Sequence, residues 1–440
     1  MRTRRDKRSF PEYAMLILSL WPFIVSILQA VPGMPGFVKY IADGLLACIS
    51  GLVILRGKIV FHRKLLPIVR WLGVFVVYTL LIYLLRFQSP FYYLWGFRNN
   101  IRFYLAFFIY VAWARESDAN QWFSLLDKLF WIHFALSVFQ FVFMGVRQDY
   151  LGGIFGTEKG TNGYTMLFLT VIILHSFLMV FNGEETVKQC VIKCIAVLLI
   201  SAMAELKFFF VLFLMLLAMA SLITNFSWKK LIIIAMSGLG VVLFSMLLVR
   251  WFGFEDFLSI NSILEKALKR NYASARDLNR LSAIPVISDT LMTKGWDRLF
   301  GFGLGNCDTS SFAICNTPFF QRYSYLHYNW FSAPMLFLET GYIGLGMYFI
   351  FFGMVFFLSR KRMAEGTGNR MYCQMAMIMS LVCCVIAFYN SSLRIESAYM
   401  VYFVLALPFI GGEEQEKTES MPRRRQRGRA RYRGRHPVSH

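Results

Sequence analysis

The stretch LPIVRWLGVFVVYTLLIYLL, residues 66–85, decides how the rest of the chain is read. Its only charged side chain is Arg70, and at about 1.5 Å of rise per residue a helix of this length crosses the roughly 30 Å of bilayer hydrocarbon. In hydrocarbon every backbone amide must find its partner within its own segment or in a closed barrel, and so unbroken an apolar run selects the helix. Runs of similar character recur on both sides, at 12–31, 37–55, 94–114, 123–144, 164–181, 191–205, 208–223, 231–251, 329–358, 371–389 and 395–410. Composition agrees. With 57% hydrophobic and 16% charged residues in 440, the chain has too little polar side chain to clothe a water-facing surface. The sequence predicts an all-α integral membrane protein of about twelve transmembrane helices.

The spans divide the chain into a basic N-terminus (1–11), nine helices (12–251), a long connection (252–328), three helices (329–411) and a basic tail expected to lack fixed structure (412–440). The first span is full length and no small-residue cleavage pattern follows it, so it reads as a retained anchor. Cationic short loops stay in the cytoplasm. Arg2, Arg4, Arg5, Lys7 and Arg8, the turn with Arg56, Lys58, Arg63 and Lys64, the pair Lys229/Lys230, the turn Arg360 to Arg362 and the tail all fall on one side if about twelve helices alternate. Both termini are then cytoplasmic. The net charge of +21 and the arginines from Arg423 to Arg435 resemble a nucleic-acid footprint, but a basic tail directly after a span is held more simply by anionic lipid headgroups. No nucleic-acid partner is expected.

Five charged stretches fall on the other, outer side: 86–102, 145–163, 204–207, 252–327 and 390–394. The fourth is long for a connection in a compact protein, and its apolar spacing at 260–268 and 283–291 predicts a partly helical cap between helices nine and ten. It also holds Cys307 and Cys315, which read either as a disulfide or as two buried free thiols. No internal repeat is evident, which weighs against a transporter built from inverted halves; Asp43 and Asp127 are the few mid-membrane acids such a protein would use.

The outer cations carry most of the chemical information. Arg98 and Arg102 stand four apart, so on a helix they share a face and can grip one anion. Lys207 lies between two apolar runs, with Glu205 as its ordinary partner. Arg276 and Arg280 repeat the spacing beside Asp277, which offers a local salt bridge, and Arg394 adds a further cation. Guanidinium groups make forked hydrogen bonds to phosphate oxygens, so several on one face point to a phosphate-bearing, lipid-linked substrate.

The segment Leu299-Phe-Gly-Phe-Gly-Leu-Gly-Asn306, then His327-Tyr-Asn-Trp330, then Glu339-Thr-Gly-Tyr-Ile-Gly344, resembles the signature region of the O-antigen ligase and polymerase (Wzy-type) superfamily of bacterial membrane glycosyltransferases. There an Arg-bearing helix leads to a Gly-x-Gly turn, a His at the outer mouth of a helix and a Gly-x-x-Gly within it. Arg280, Gly301 and Gly303, His327, and Gly341 with Gly344 occupy those places. The ligase pattern sets the His closer to the Gly-x-x-Gly than His327 stands to Gly341, which favours the polymerase branch.

The resemblance implies glycosyl transfer, without metal or cofactor, from an undecaprenyl pyrophosphate-linked oligosaccharide at the outer face of the bacterial cytoplasmic membrane. Partners would be that substrate, anionic lipids and other polysaccharide assembly proteins. Arg98, Arg102, Lys207, Arg280 and Arg276 would hold the pyrophosphate, with Arg280 closest to the chemistry. His327 would be the base or acceptor-orienting group, and Glu339 an alternative base or a partner for a buried cation. Gly301 and Gly303 would give a tight turn with close backbone approach to substrate; their ordinary reading is a loop, as no strand precedes them to make a nucleotide site. Gly341 and Gly344 would serve helix packing. A ligase transferring the glycan to another acceptor and a lipid-linked oligosaccharide flippase are the competing expectations.

Overall fold

The computed structural model describes residues 8–31, 34–56, 65–225, 227–253, 269, 277–310 and 312–410. The tail, Arg276 and the apolar pattern at 260–268 lie outside the described residues. Among those described there are helices and turns and no strand. In chain order the helices are α1 (Phe10–Ser19), α2 (Trp21–Gln29), α3 (Ile41–Arg56), α4 (Leu66–Leu85), α5 (Pro90–Trp113), α6 (Glu116–Val142), α7 (Thr161–Phe181), α8 (Val187–Met203), α9 (Lys207–Ile223), α10 (Trp228–Phe252), α11 (Ala283–Thr290), α12 (Gly295–Phe300), α13 (Pro318–Tyr323), α14 (Ser332–Glu365), α15 (Arg370–Tyr389) and α16 (Ala398–Ala406).

The apolar runs read from the sequence coincide with these helices, the run at 12–31 being divided between α1 and α2 and those at 37–55, 329–358 and 395–410 including a short 3-10 turn. Six of them, α4, α6, α7, α10, α14 and α15, are long and apolar enough to cross a membrane, and a seventh span results if the bent pair α1–α2 counts as one. That pair bends by 69°. Pro22 explains the break, because it has no N–H to donate and its ring collides with the carbonyl four residues back. The apolar helices α9 and α16 are shorter.

Packing sorts the helices by their faces. α7, α15 and α16 are buried nearly all round, as the centre of a bundle requires. α4, α6 and α10 instead turn apolar faces outward, with Val74, Val77, Leu84, Ile132, Phe139, Leu239 and Val242 exposed. Uncovered apolar faces of this extent fit hydrocarbon rather than water as the surroundings, and the protein is a helical membrane protein.

At one end of the bundle polar side chains tie the helices together. Arg8 pairs with Asp118 at 2.8 Å, Arg115 pairs with Glu12, Asn369 Nδ2 donates to Glu116 at 2.7 Å, and Tyr372 donates to Asn120 at 2.6 Å. Lys230 Nζ donates to the carbonyls of Ser221 and Thr224 at 2.8 Å each, satisfying acceptors that the end of α9 would otherwise leave open. The described residues of the five charged stretches assigned above to the outer side meet at the opposite end.

α14 is two helices in one. Gly341 adopts φ 65°, ψ −169° and breaks it. The carbonyls this break frees accept from the Gly-x-Gly turn: Phe302 N–H donates to Leu338 O and Gly303 N–H to Glu339 O, both at 2.9 Å. A β-carbon at Gly301 would overlap the Glu339 carbonyl, and one at Gly341 would overlap that of Leu299, so two backbones touch where both residues lack side chains. Arg86 locks the turn by donating to Gly301 O and pairing with Asp297, each at 2.6 Å. The close approach expected of Gly301 and Gly303 is therefore to α14, with Gln88 filling the space beside Gly303.

Candidate functional site

The described part of the long connection packs at the ends of α5, α14 and α15. Its expected helical run at 283–291 forms α11. The backbone of Leu278 donates to Leu326 O at 3.2 Å, which sets the strip from Asp277 to Arg280 beside His327.

His327 does not cap α14, whose N-cap is Phe331; it lies between two short 3-10 turns, Ser324–Leu326 and Tyr328–Trp330. Its backbone takes φ 53°, a left-handed conformation that costs a non-glycine residue about 1–3 kcal/mol and that the surrounding structure must impose. Hydrogen bonds from His327 N–H to Ser324 O and from Trp330 N–H to His327 O, each 3.0 Å, do so. The ring is doubly held. Nδ1 lies 2.9 Å from Asp277 Oδ1, and the imidazole stacks on Trp330 with centroids 3.9 Å apart and planes 19° apart. A carboxylate only accepts, so the Nδ1 proton points at Asp277 and the Nε2 lone pair is left for another partner. The side chain is 37% exposed. Asp277 was read from sequence as a partner for neighbouring arginines; fifty positions separate it from His327, and no local spacing could have linked them.

Arg280 places its guanidinium 4.5 Å from the centre of the Tyr389 ring, and Phe208 stacks on that ring at 4.1 Å. Phe208 follows Lys207, so the start of α9 and the strip carrying Arg280 share Tyr389 as a common neighbour. Lys207 itself is paired with Glu205 at 2.9 Å, the bland partner expected.

Arg98 and Arg102 lie on α5 and face a different environment. Arg98 pairs with Asp43, its Nε 3.0 Å from Oδ2, and lies against Tyr40 and Trp95 at 5.0 and 5.1 Å. Arg102, 5% exposed, pairs with Glu396 at 3.2 Å and donates to Arg394 O at 2.7 Å. Arg394 in turn pairs with Asp308 at 3.0 Å, Asn99 donates to the same carboxylate at 2.8 Å, and Tyr164 donates to Glu396 at 3.0 Å. Three arginines thus meet three carboxylates drawn from α3, α5, the long connection and the turn before α16. Any pyrophosphate contacting Arg98 or Arg102 must compete with these partners. Asp43, read as a transporter acid, belongs to this cluster. Asp308 and Glu396 were missed, although Asp308 lies on a stretch assigned to the side of the arginines and Glu396 stands two residues past another.

Glu339 is 0% exposed. The amides of Gly305 and Cys307 face its carboxyl, with Asp308 and Arg394 nearby, yet neither oxygen completes a hydrogen bond. Fully buried beside the Gly301–Asp308 turn, it is an electrostatic neighbour of Asp308 and Arg394 in the ion cluster. Arg276 lies outside the described residues. No trio of His, Cys, Asp or Glu side chains forms a metal site among the described residues.

Cys307 and Cys315 are free, buried thiols. Burial pushes the Cys307 thiol well above its usual range, and the Glu339 and Asp308 carboxylates push it the same way. The thiolate is the reactive form, so Cys307 is inert in the folded protein. All eight cysteines should alkylate after denaturation without reductant, and Cys307 should resist before it; mass spectrometry of the labelled chain reads both, and a need for reductant at positions 307 and 315 would show a disulfide instead. Compared with family models and with curated proteins, the chain has no match.

Proposed function

We propose that the protein is a membrane glycosyltransferase of the polysaccharide polymerase type, extending undecaprenyl pyrophosphate-linked repeat units at the outer face of a bacterial cytoplasmic membrane. The observation that carries the reading is the Asp277–His327 pair: an exposed imidazole fixed through Nδ1, with Arg280 held on the same strip. In this reading about twelve helices span the bilayer, both termini are cytoplasmic, and the five charged stretches form the outer face.

The acceptor sugar hydroxyl approaches His327 Nε2, which takes its proton as the oxygen bonds to the anomeric carbon of the donor. The bond from that carbon to the pyrophosphate breaks, and the electron pair leaves with the lipid pyrophosphate. Arg280, over Tyr389, and Lys207, next in sequence to Phe208 on the same ring, stabilise the charge on the leaving group, while Arg98 and Arg102 hold the frame through Asp43 and Glu396. Asp277 orients the imidazole and stabilises its protonated form. The cluster of Arg98, Arg102 and Arg394 with Asp43, Asp308 and Glu396 beside the dyad's end of the bundle supports transfer there over flipping.

Purified protein incubated with a lipid-pyrophosphate oligosaccharide, without nucleotide or metal, should yield a ladder of longer lipid-linked chains on a sizing gel. Transfer to a different lipid acceptor would make it a ligase; unchanged substrate crossing a liposome bilayer would make it a flippase. Arg280→Ala should lower the rate by about 10²–10³-fold, the usual loss when one fixed donor to developing charge is removed. Lys207→Arg should keep more activity than Lys207→Ala, and equal losses would remove Lys207 from the pyrophosphate.

A further inference from the structure

Two side chains beside the dyad have no role in the reaction as written. Trp330 precedes α14 and Lys159 precedes α7, so they come from connections remote in sequence. Lys159 Nζ lies 6.0 Å from the centre of the Trp330 ring, whose own neighbour is the His327 imidazole. The cation therefore stands one ring away from the base. Unlike Lys207, Lys159 has no carboxylate partner among the described residues. Trp330 is 42% exposed in spite of its stacking, and its indole N–H has no acceptor among the described residues.

We infer that Trp330 and Lys159 form the acceptor subsite, the indole carrying a sugar ring and the ammonium taking an anionic group, carboxylate or phosphate, on the same molecule. The inference rests on the reaction proposed above, which requires the acceptor hydroxyl within hydrogen-bond reach of His327 Nε2. A pyranose presents an apolar face of C–H bonds that packs on an aromatic ring, and tryptophan offers the largest such surface with a polar edge for hydroxyl groups. An ammonium resting near an aromatic ring is positioned without being neutralised, so it keeps its charge for a ligand. The subsite thus selects an acidic glycan over a neutral one of the same shape.

The test is saturation-transfer NMR on the full-length protein in nanodiscs, with a lipid-free disaccharide containing a hexuronic acid and with its methyl ester as probes. The wild type should saturate the ring protons of both and bind the acid more tightly. Trp330→Ala should weaken both by about tenfold, the scale of one aromatic stacking contact. Lys159→Gln should remove the preference for the acid and leave ester binding intact. Binding by Trp330→Ala equal to wild type would overturn the subsite, as expected of an indole that only anchors the bilayer interface; so would a wild type that binds neither probe. No turnover enters this measurement. A protein that binds the probes but makes no polymer would keep the subsite and lose the polymerase reading, whereas polymer formation with unaltered Trp330→Ala binding would do the reverse.

Discussion

His327→Ala lowers polymer formation by about 10²–10⁴-fold, the range a positioned general base contributes, while the protein stays inserted and abundant. The ring is 37% exposed and is held among the described residues by Trp330 and Asp277, outside the packed centre of the bundle, so its removal should leave the fold intact. Asp277→Asn sharpens the result. Asparagine keeps the shape but can present an N–H towards Nδ1, which favours the tautomer with its proton on Nε2 and removes the base. The single change should approach the loss seen with His327→Ala, and Asp277→Asn combined with His327→Ala should be little worse than either, because the two act as one unit. Initial rates of ladder formation with purified variants decide this. Full activity in Asp277→Asn would reduce the 2.9 Å contact to a loop fastening.

The second large effect concerns Arg102. Arg102→Met leaves Glu396 as a buried carboxylate without its cation, and breaking such a pair costs about 3–5 kcal/mol. The variant should unfold at lower temperature in detergent and accumulate poorly in the membrane. Adding Glu396→Gln removes the uncompensated charge while keeping an acceptor for Tyr164, so the double variant should recover most of the stability. Its activity then separates two roles that a single substitution confounds. A folded, active double variant assigns Arg102 to the frame. A folded double variant that binds donor poorly returns Arg102 to the pyrophosphate.

The helices were legible because each is a local property: a run of about twenty apolar residues has one favourable form in hydrocarbon whatever lies beside it. For the same reason the run at 66–85 is found as α4 with the same limits. The break at Gly341 was not legible, since the sequence reads through it as continuous apolar helix. Only the Gly301 turn, supplying N–H groups to Leu338 and Glu339, makes an interrupted helix tolerable there.

The candidate site divides along the same line. His327, Arg280 and Lys207 stood out as polar residues at the edges of apolar runs, and the structure brings Arg280 and the start of α9 to one ring, Tyr389. Lys207 has the local partner its sequence offered, Glu205, whereas the distant pairings had no local spacing to reveal them. Asp277, Asp308 and Glu396 lie fifty or more positions from the side chains they hold in His327, Asn99 and Arg102, and an ion pair leaves no periodic trace when its members come from different elements. The sequence by itself determined that this chain lives in a membrane as helices and which side chains are too polar to be there without a purpose. Which of those charges cancel one another and which are left facing outward was decided by tertiary structure alone, because the cost of burying a charge depends on what stands beside it in space.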